Sequence, residues 1–304
     1  MALKIRSKIW ILCFTFLLTT TVSAGVVRQS GDDDLVPTGK GWGERQARAP
    51  KARPQKSLNG INYHGGPLIL GTTNVYYIWY GNWAGNTATT ILNNFASSIG
   101  GSPYYNINTT YYDGSNTKVT NSVSPLGQAN DSYSLGTALG DADIKSIVAT
   151  AINSGALPTD TNGVYFVLTS ADVNETSGFC TQYCGWHTHG SINGLDIKYS
   201  FVGNPDRCPS ACEDQTTSPN GNAGADGMTN IIAHELEEAV TDPDLNAWYD
   251  RRGQENADKC AWTFGATYTT ANGAKANMNL GGSDYLIQQN WVNASGGYCA
   301  LSYP

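Results

Sequence analysis

The sequence has few charged residues: only 14% of its 304 residues are Asp, Glu, Lys or Arg, and only four are histidine. Its 18 basic residues are outnumbered by 25 acidic ones, so the formal net charge is −7. Nucleic-acid binding requires clustered Lys and Arg to neutralise phosphates, and this composition argues against it. Glycine and aromatic residues are abundant instead, with 34 Gly, 17 Tyr and 8 Trp, which favours a rigid, loop-rich extracellular protein.

Long hydrophobic runs are also scarce. The apolar stretch from Ile9 to Leu18 is shorter than the roughly 20 residues that a transmembrane helix needs. Three basic residues precede it, and the small-residue sequence Val22-Ser23-Ala24 follows, which predicts a secretory signal peptide over residues 1–24. Its removal takes away three positive charges and no negative one, lowering the net charge from −7 to −10. We therefore expect a secreted protein without a membrane span.

One basic cluster runs from Lys40 to Lys56 among Gly, Pro, Gln and Ala. Such a stretch cannot bury a core, so residues 25–57 are predicted to be a disordered linker or a propeptide. A basic arm that binds an anionic cell-wall polymer is the alternative. The remaining residues, 58–304, suffice for one large domain or two small ones, and we interpret them as one.

Six of the seven cysteines follow the signal peptide. An even number in an oxidising compartment predicts three disulfides, although the sequence does not decide how the cysteines pair. The alternative is a zinc knuckle in which two C-x3-C pairs act together with His187 and His189. The cysteines concerned are Cys180, Cys184, Cys208, Cys212, Cys260 and Cys299.

Strand-like and helix-like patterns alternate along the chain. They predict an α/β fold, with a mixed α+β arrangement as the alternative. A hairpin is expected around Asp113-Gly114, within residues 104–119. The predicted strands are Val75–Trp79, Gly163–Thr169 and Ile197–Val202, and the predicted helices are Thr87–Ser98, Asp141–Ile152 and Gly227–Val240.

The helix predicted over Gly227–Val240 carries the chemistry. It contains "AHELEEAVTD", and Pro243 requires it to end near Asp242. His234 and Glu238 are four residues apart and so share one face, as the two ligands of an H-E-x-x-H metal helix do. Glu235 occupies the position of the general base beside a metal-bound water. The pattern predicts a zinc site.

The third ligand has several candidates. Asp244 follows His234 by ten residues, which is the spacing of the third ligand in H-E-x-x-H-x-x-G-x-x-H proteases. Asp258 and Glu255 are alternatives that a disulfide at Cys260 would hold near the site. The competing interpretation is an acidic helix that faces water. The H-x-H pair His187 and His189 could complete a zinc site with His234, or serve in a turn or in packing.

Several separate stretches together resemble one family: "YHGGPLILGTTNVYYIWYGNW", "GFCTQYCGWHTHG", "YSFVGNPDRCPSAC" and "SPNGNAGADGMTNIIAHELEEAVTDPDLNAWY". They are similar to the EXORDIUM-like, or phosphate-induced, proteins of plants and their microbial relatives. The resemblance runs from about Tyr63 to Cys299. It implies an exported protein of the cell wall or apoplast, whose plant relatives are linked to growth. It brings no settled biochemical activity.

Two functional hypotheses follow. The first is a zinc-dependent hydrolase of the peptidase type, zincin-like around its helix, with His234, Glu238 and either Asp244 or Asp258 holding zinc and Glu235 as base. The second is a non-enzymatic secreted protein that binds cell-wall carbohydrate or a receptor through its many Trp and Tyr side chains. The expected partner is a peptide or a cell-wall polymer.

Overall fold

A five-stranded sheet forms the centre of the computed structural model, which describes residues 27–28, 35–40 and 60–304. Its strands are β1 (Thr73–Tyr80), β2 (Val123–Asp131), β3 (Gly163–Thr169), β4 (Gly185–Ile192) and β5 (Leu195–Val202). Their order is β2-β1-β3-β5-β4, and all neighbours are parallel except β4, which runs antiparallel to β5 at one edge. This confirms the predicted α/β class.

The central strands are apolar because both of their faces are covered. Every residue of β3 is buried, as is nearly all of β1. Parallel strands that are covered on both faces have continuously hydrophobic sequences. The sequence "GVYFVLT" has this pattern. The predicted strand Gly163–Thr169 has the bounds of β3, and Val75–Trp79 lies within β1.

Four helices accompany the sheet: α1 (Ala88–Ile99), α2 (Asp141–Asn153), α3 (Pro209–Cys212) and α4 (Ala223–Thr241). Helix α4 contacts α1, β4 and β5, whereas α2 contacts β3 and β5. The side chain of Asn222 caps α4 by accepting a hydrogen bond from the backbone N–H of Ala225 (3.0 Å). The helix ends at Thr241, where Pro243 disfavours further helical turns.

Short elements complete the chain. Three 3-10 helices cover Tyr105–Thr110, Pro205–Arg207 and Asp258–Cys260. Six pairs of short strands also form among the described residues. One pair is parallel, Ala138–Leu139 with Asn174–Glu175. The other five are antiparallel: Val27–Arg28 with Leu35–Val36, Asn62–Tyr63 with Trp248–Tyr249, Tyr268–Thr269 with Lys275–Ala276, Met278–Leu280 with Ser283–Tyr285, and Asn290–Val292 with Tyr298–Ala300.

Three predictions differ from the structure. The first half of the hairpin expected at 104–119 is instead a 3-10 helix, Tyr105–Thr110, whereas the chain does reverse at Asp113-Gly114, with a single antiparallel bridge between Tyr112 and Lys118. Helix α4 begins four residues before the predicted Gly227, because Asn222 caps it. Within the segment predicted to be disordered, residues 35–40 pack on the domain. The signal peptide and the rest of 25–57 lie outside the described residues, apart from the backbone of 27–28.

Three disulfides staple the fold, as the cysteine count predicted. They join Cys180 to Cys208, Cys184 to Cys212, and Cys260 to Cys299. The first two tie the residues before β4 to the segment that leads into α4, so no zinc knuckle forms from these thiols. The described residues include no helix long and apolar enough to cross a membrane.

Candidate metal centre

The acidic side chains of α4 face the protein interior. His234, Glu235 and Glu238 each expose 0% of their surface, because α4 lies between the sheet and the C-terminal segment. The apolar residues Ile231, Ile232 and Leu236 predicted broad coverage of this helix, and the structure extends it to nearly all of its residues. An acidic helix that faces water is therefore excluded.

One triad of potential ligands forms around His234. Its Nε2 lies 3.1 Å from Oε1 of Glu238 and 3.7 Å from Oδ1 of Asp258. The backbone N–H of Asp258 donates to the same Oε1 of Glu238 (3.0 Å), and the Cys260–Cys299 disulfide anchors this turn. The side-chain amide of Gln288 contacts Nδ1 of His234, which orients the ring with Nε2 toward the carboxylates.

A second triad forms around His187, which reaches α4 from strand β4. Its Nδ1 lies 3.4 Å from Oε2 of Glu235 and 3.5 Å from Oε2 of Glu238. Its Nε2 lies 3.5 Å from Oε1 of Glu255. Glu238 thus belongs to both triads, with one oxygen toward each histidine. We call these six residues the buried cluster: His187, His234, Glu235, Glu238, Glu255 and Asp258.

Many polar atoms of the buried cluster have no hydrogen-bond partner. Their mutual contacts of 3.1–3.7 Å lack hydrogen-bonding geometry. Leaving such atoms unsatisfied costs about 1–3 kcal/mol each, and more where charge is involved. A cation at the cluster would satisfy several at once. The unpartnered atoms are Nδ1 of His187, Nε2 of His234, both carboxylate oxygens of Glu235, Oε2 of Glu238, Oε1 of Glu255 and Oδ1 of Asp258.

Burial and charge oppose each other in setting the pKa values of the cluster. Burial lowers the pKa of His234, but the surrounding carboxylates, Glu238 first, together raise it more, and the result is about 9. Burial raises the pKa of Asp258 to about 8, and the charge of Glu238 adds to the effect. For Glu238 itself, burial raises the pKa, but His234 and His187 bring it down to about 2. The cluster concentrates negative charge that requires protons or a cation.

The donor set suits zinc. Zinc binds imidazole nitrogen and carboxylate oxygen at about 2.0–2.2 Å, so neighbouring ligand atoms in a tetrahedron lie about 3.3–3.6 Å apart. The distances within the two triads, 3.1, 3.7, 3.4 and 3.5 Å, bracket that range. Calcium and magnesium prefer ligand sets made of oxygen atoms, whereas each triad here includes a histidine.

Asp244 is not part of the cluster. Its Oδ1 lies 2.8 Å from Nζ of Lys198 and 3.7 Å from Nδ1 of His189. Asp196 completes this half-exposed group, and the ammonium of Lys198 supplies its positive charge. Of the two candidates for third ligand, the structure therefore brings Asp258 to His234 and places Asp244 elsewhere. The spacing argument failed because Pro243 and the turn after it direct Asp244 toward β5.

The sequence indicates two members of the buried cluster, His187 and Glu255, only as alternative ligands. His187 and His189 alternate on strand β4, so they lie on one face of it, but only His187 reaches the cluster. Glu255 was a candidate third ligand and contacts His187 instead of His234. Gln288, which orients His234, lies 54 residues away, and no local sequence signal indicates its role.

The tryptophan side chains offer little surface for stacking on sugars. Among the described residues, Trp262 is half-buried, and the exposed aromatic side chains are Tyr268 and Tyr298. The aromatic composition therefore reflects the core. Five tryptophans are no more than 9% exposed: Trp79, Trp83, Trp186, Trp248 and Trp291.

Comparison with known proteins agrees with the resemblance. The family model described as phosphate-induced protein 1 conserved region matches residues 61–285, most of the chain and most of the structure around the buried cluster. The chain belongs to the phosphate-induced protein 1 family. His187, His234, Glu235, Glu238, Glu255 and Asp258 all lie within the matched region.

Plant relatives of this family cover most of the chain. Protein EXORDIUM-like 3 of Arabidopsis thaliana is 32% identical, over 82% of this chain and 85% of its own length. Protein EXORDIUM-like 5 of the same plant is 32% identical over 79% and 77%, respectively. Protein PHOSPHATE-INDUCED 1 of Nicotiana tabacum is 28% identical over 68% and 72%. No solved structure matches the chain significantly.

Proposed function

We propose that this member of the phosphate-induced protein 1 family is an exported, zinc-dependent hydrolase of the peptidase type, zincin-like around α4. The observation that carries the proposal is the convergence of unpartnered nitrogen and oxygen atoms in a fully buried cluster. Buried polar atoms normally have a binding partner. A metal ion is the partner that imidazole nitrogen atoms and carboxylate oxygen atoms can bind together.

Roles follow from position. His234, Glu238 and Asp258 would hold the zinc, which supplies a bound water of lowered pKa and a Lewis acid for a carbonyl. Glu235 follows His234 directly and exposes both of its oxygens to the cluster without a hydrogen-bond partner. It would accept the proton of the attacking water and return it to the leaving amine. His187, at 3.4 Å, would position the Glu235 carboxylate.

Complete burial favours a second candidate. With His234, Glu235 and Glu238 at 0% exposure, a substrate reaches them only after neighbouring residues move. A closed metal site stabilises a fold without performing chemistry. In that case the protein would be a non-enzymatic secreted protein that binds a cell-wall carbohydrate or a receptor, with the metal as a structural element.

The two candidates differ in what Glu235 does. Peptide-cleaving activity of the metal-loaded protein should fall by about 100-fold or more in Glu235→Gln, because a positioned base contributes that much, while bound zinc stays. Glu237→Gln is the matched control on the same helix and should keep activity. Bound zinc with no hydrolysis of any peptide in a diverse library, before or after cleavage of the basic segment, would favour the structural role.

Export is the remaining part of the proposal. Three disulfides are typical of proteins from oxidising compartments, and the first 24 residues have the pattern of a signal peptide. Sequencing the N-terminus of the protein recovered from culture medium tests it. We expect the mature chain to begin at Gly25 or further along the basic segment, whereas a retained Met1 in cell lysate would contradict export.

A further inference from the structure

Gly39 and Lys40, in the chain's own segment 35–40, "LVPTGK", lie against the outer edge of strand β4. The backbone N–H of His187 donates a hydrogen bond to the carbonyl oxygen of Gly39 (3.2 Å). Since β4 is an edge strand, its outward N–H and C=O groups are free to pair with an additional extended segment. Peptide recognition by strand addition uses such edges.

Gly39 fits this edge because it has no side chain. A Cβ atom there would lie 1.9 Å from the carbonyl oxygen of His187, closer than any real contact. Its φ of +68° also lies in the left-handed region that favours glycine. Any segment that docks in this way must therefore carry glycine at the position opposite His187.

The next residue, Lys40, enters a pocket built for a cation. Its Nζ lies 2.6 Å from Oδ2 of Asp141 and 2.7 Å from Oγ of Ser177. The same ammonium lies over the rings of Tyr183 (5.2 Å) and Trp186 (5.1 Å). Cations are attracted to aromatic faces at such distances. The Lys40 side chain is only 13% exposed as a result.

A second carboxylate contacts two residues of this pocket. Glu175 is buried, and its Oε2 accepts hydrogen bonds from the hydroxyl of Tyr183 and from the backbone N–H of Ser177 (3.1 Å). The Asp141 carboxylate and two aromatic rings thus surround the ammonium group, and Glu175 holds Tyr183 and Ser177 in place beside it. The pocket selects a long basic side chain by charge and by shape.

The other end of the segment is attached as well. The backbone N–H of Leu35 donates to the carbonyl oxygen of Arg251 (3.2 Å), and Pro37 is buried. The six residues are thus held at three points: the backbone of Leu35, the backbone of Gly39 and the side chain of Lys40. Composition alone had predicted that this stretch would not pack.

We propose that the outer edge of β4 at His187, with the pocket formed by Asp141, Ser177, Tyr183 and Trp186, is a docking site for a polypeptide segment in which glycine precedes lysine. Residues 35–40 are its built-in occupant. The docking itself does not depend on catalysis. If the proposed function holds, the site also names the substrate class, because His187 binds the docked backbone with its N–H and the Glu235 and Glu238 carboxylates with its ring.

Cutting the full exported protein between the occupant and the domain tests the proposal. An arginine-specific protease cleaves after Arg45 or Arg48, and size-exclusion chromatography with mass spectrometry then shows whether the fragment carrying residues 35–40 stays bound. We expect it to stay bound in the wild-type protein and in Lys118→Ala, which removes a remote exposed lysine. In Lys40→Ala and Gly39→Ala the fragment should be released, with retention weakened about tenfold or more.

A free peptide of sequence Leu-Val-Pro-Thr-Gly-Lys should displace the fragment from cleaved wild-type protein, and the same peptide with alanine in place of glycine should not. Equal retention in Lys40→Ala and wild type, or equal displacement by both peptides, would overturn the proposal. The Glu235→Gln protein should give the same binding results as wild type. The binding measurements thus test the docking site, and the activity measurements test the proposed hydrolase.

Discussion

Glu237 and Glu238 are neighbours on α4, equally buried, and their carboxylates meet opposite surroundings. Glu238 faces His234 and His187, which hold its pKa near 2 against the effect of burial. The carboxylate of Glu237 accepts a hydrogen bond from the side-chain amide of Asn290, and burial raises its pKa well above the usual range. The neighbouring histidines favour the charged form of Glu238, whereas burial favours the protonated form of Glu237.

This contrast predicts different outcomes for two substitutions of equal size. Glu237→Gln puts a neutral amide of the same size where burial disfavours charge, so the fold and the bound zinc should be retained, with a melting temperature within about 2 °C of wild type. Glu238→Gln replaces the carboxylate that both triads share with a neutral amide, and should weaken zinc binding by about 100-fold or more. Calorimetry and competition with a metal-binding dye measure the two effects. Equal zinc affinity in both variants would remove Glu238 from the metal site.

The disulfide between Cys260 and Cys299 should link stability to metal binding. Replacing both cysteines with alanine opens a loop of 39 residues and should lower the free energy of unfolding by roughly 3–4 kcal/mol. Because Asp258 lies in the same short turn as Cys260, zinc affinity should also fall, by about 10-fold or more.

Removing the disulfide between Cys180 and Cys208 provides the control. Its loop of 28 residues predicts a comparable loss of stability, yet it anchors no residue of the buried cluster. Urea titrations give the stability of each double variant, and zinc titrations give the affinity. A loss of zinc affinity that is the same in both variants would mean that Asp258 is held by packing rather than by its disulfide.

The contact between Lys40 and Asp141 should depend on pH. Burial raises the pKa of Asp141, but hydrogen bonds from Lys40 and Ser177 lower it more, and the net shift is downward. A carboxylate with a lowered pKa in the folded state stabilises that state above its unfolded pKa of about 3.9 and loses the effect as the pH falls through the folded value. Burial raises the pKa of the neighbouring Glu175, which therefore takes up its proton at a higher pH than Asp141 does.

Retention of the fragment that carries residues 35–40 should accordingly persist at neutral pH and fall in acid below about pH 4. Asp141→Asn should retain the fragment more weakly at neutral pH and should lack this acid step, while any step due to Glu175 remains. Chromatography of the cleaved protein across a pH series measures both. An acid step of the same size in Asp141→Asn would assign the pH dependence to another group.

The regular elements were predictable where local pattern and tertiary context agree. "GVYFVLT" is a central strand by its own composition, and α4 was recognisable from its apolar spacing and from Pro243. Strand β4, "GWHTHGSI", was not predicted, because it contains few apolar residues and is buried by its neighbour α4 rather than by its own hydrophobicity. Residues 104–119 have strand-like composition, yet Tyr105–Thr110 form a 3-10 helix in which Tyr105 and Ile107 are buried.

The candidate site was predictable only in its local part. His234, Glu235 and Glu238 share one helix, so their spacing determines their geometry. Whether Asp244 or Asp258 joins them depends on where the chain runs after Pro243, and Lys198, on a different strand, holds Asp244 away. His187 reaches the buried cluster from strand β4, which is far from α4 in the sequence, so no residue spacing predicts this contact.

The most direct test of the buried cluster is the zinc content of the protein purified from the culture medium, measured by mass spectrometry beside two variants. We predict about one zinc per chain in the wild-type protein and in Asp244→Asn, and almost none in His234→Ala. The His234→Ala protein should also unfold at a lower temperature, because its buried carboxylates lose both the zinc ion and the imidazole of His234, and only the His187 imidazole still faces them. Wild-type protein that is folded, free of metal and no more stable than His234→Ala would contradict the account.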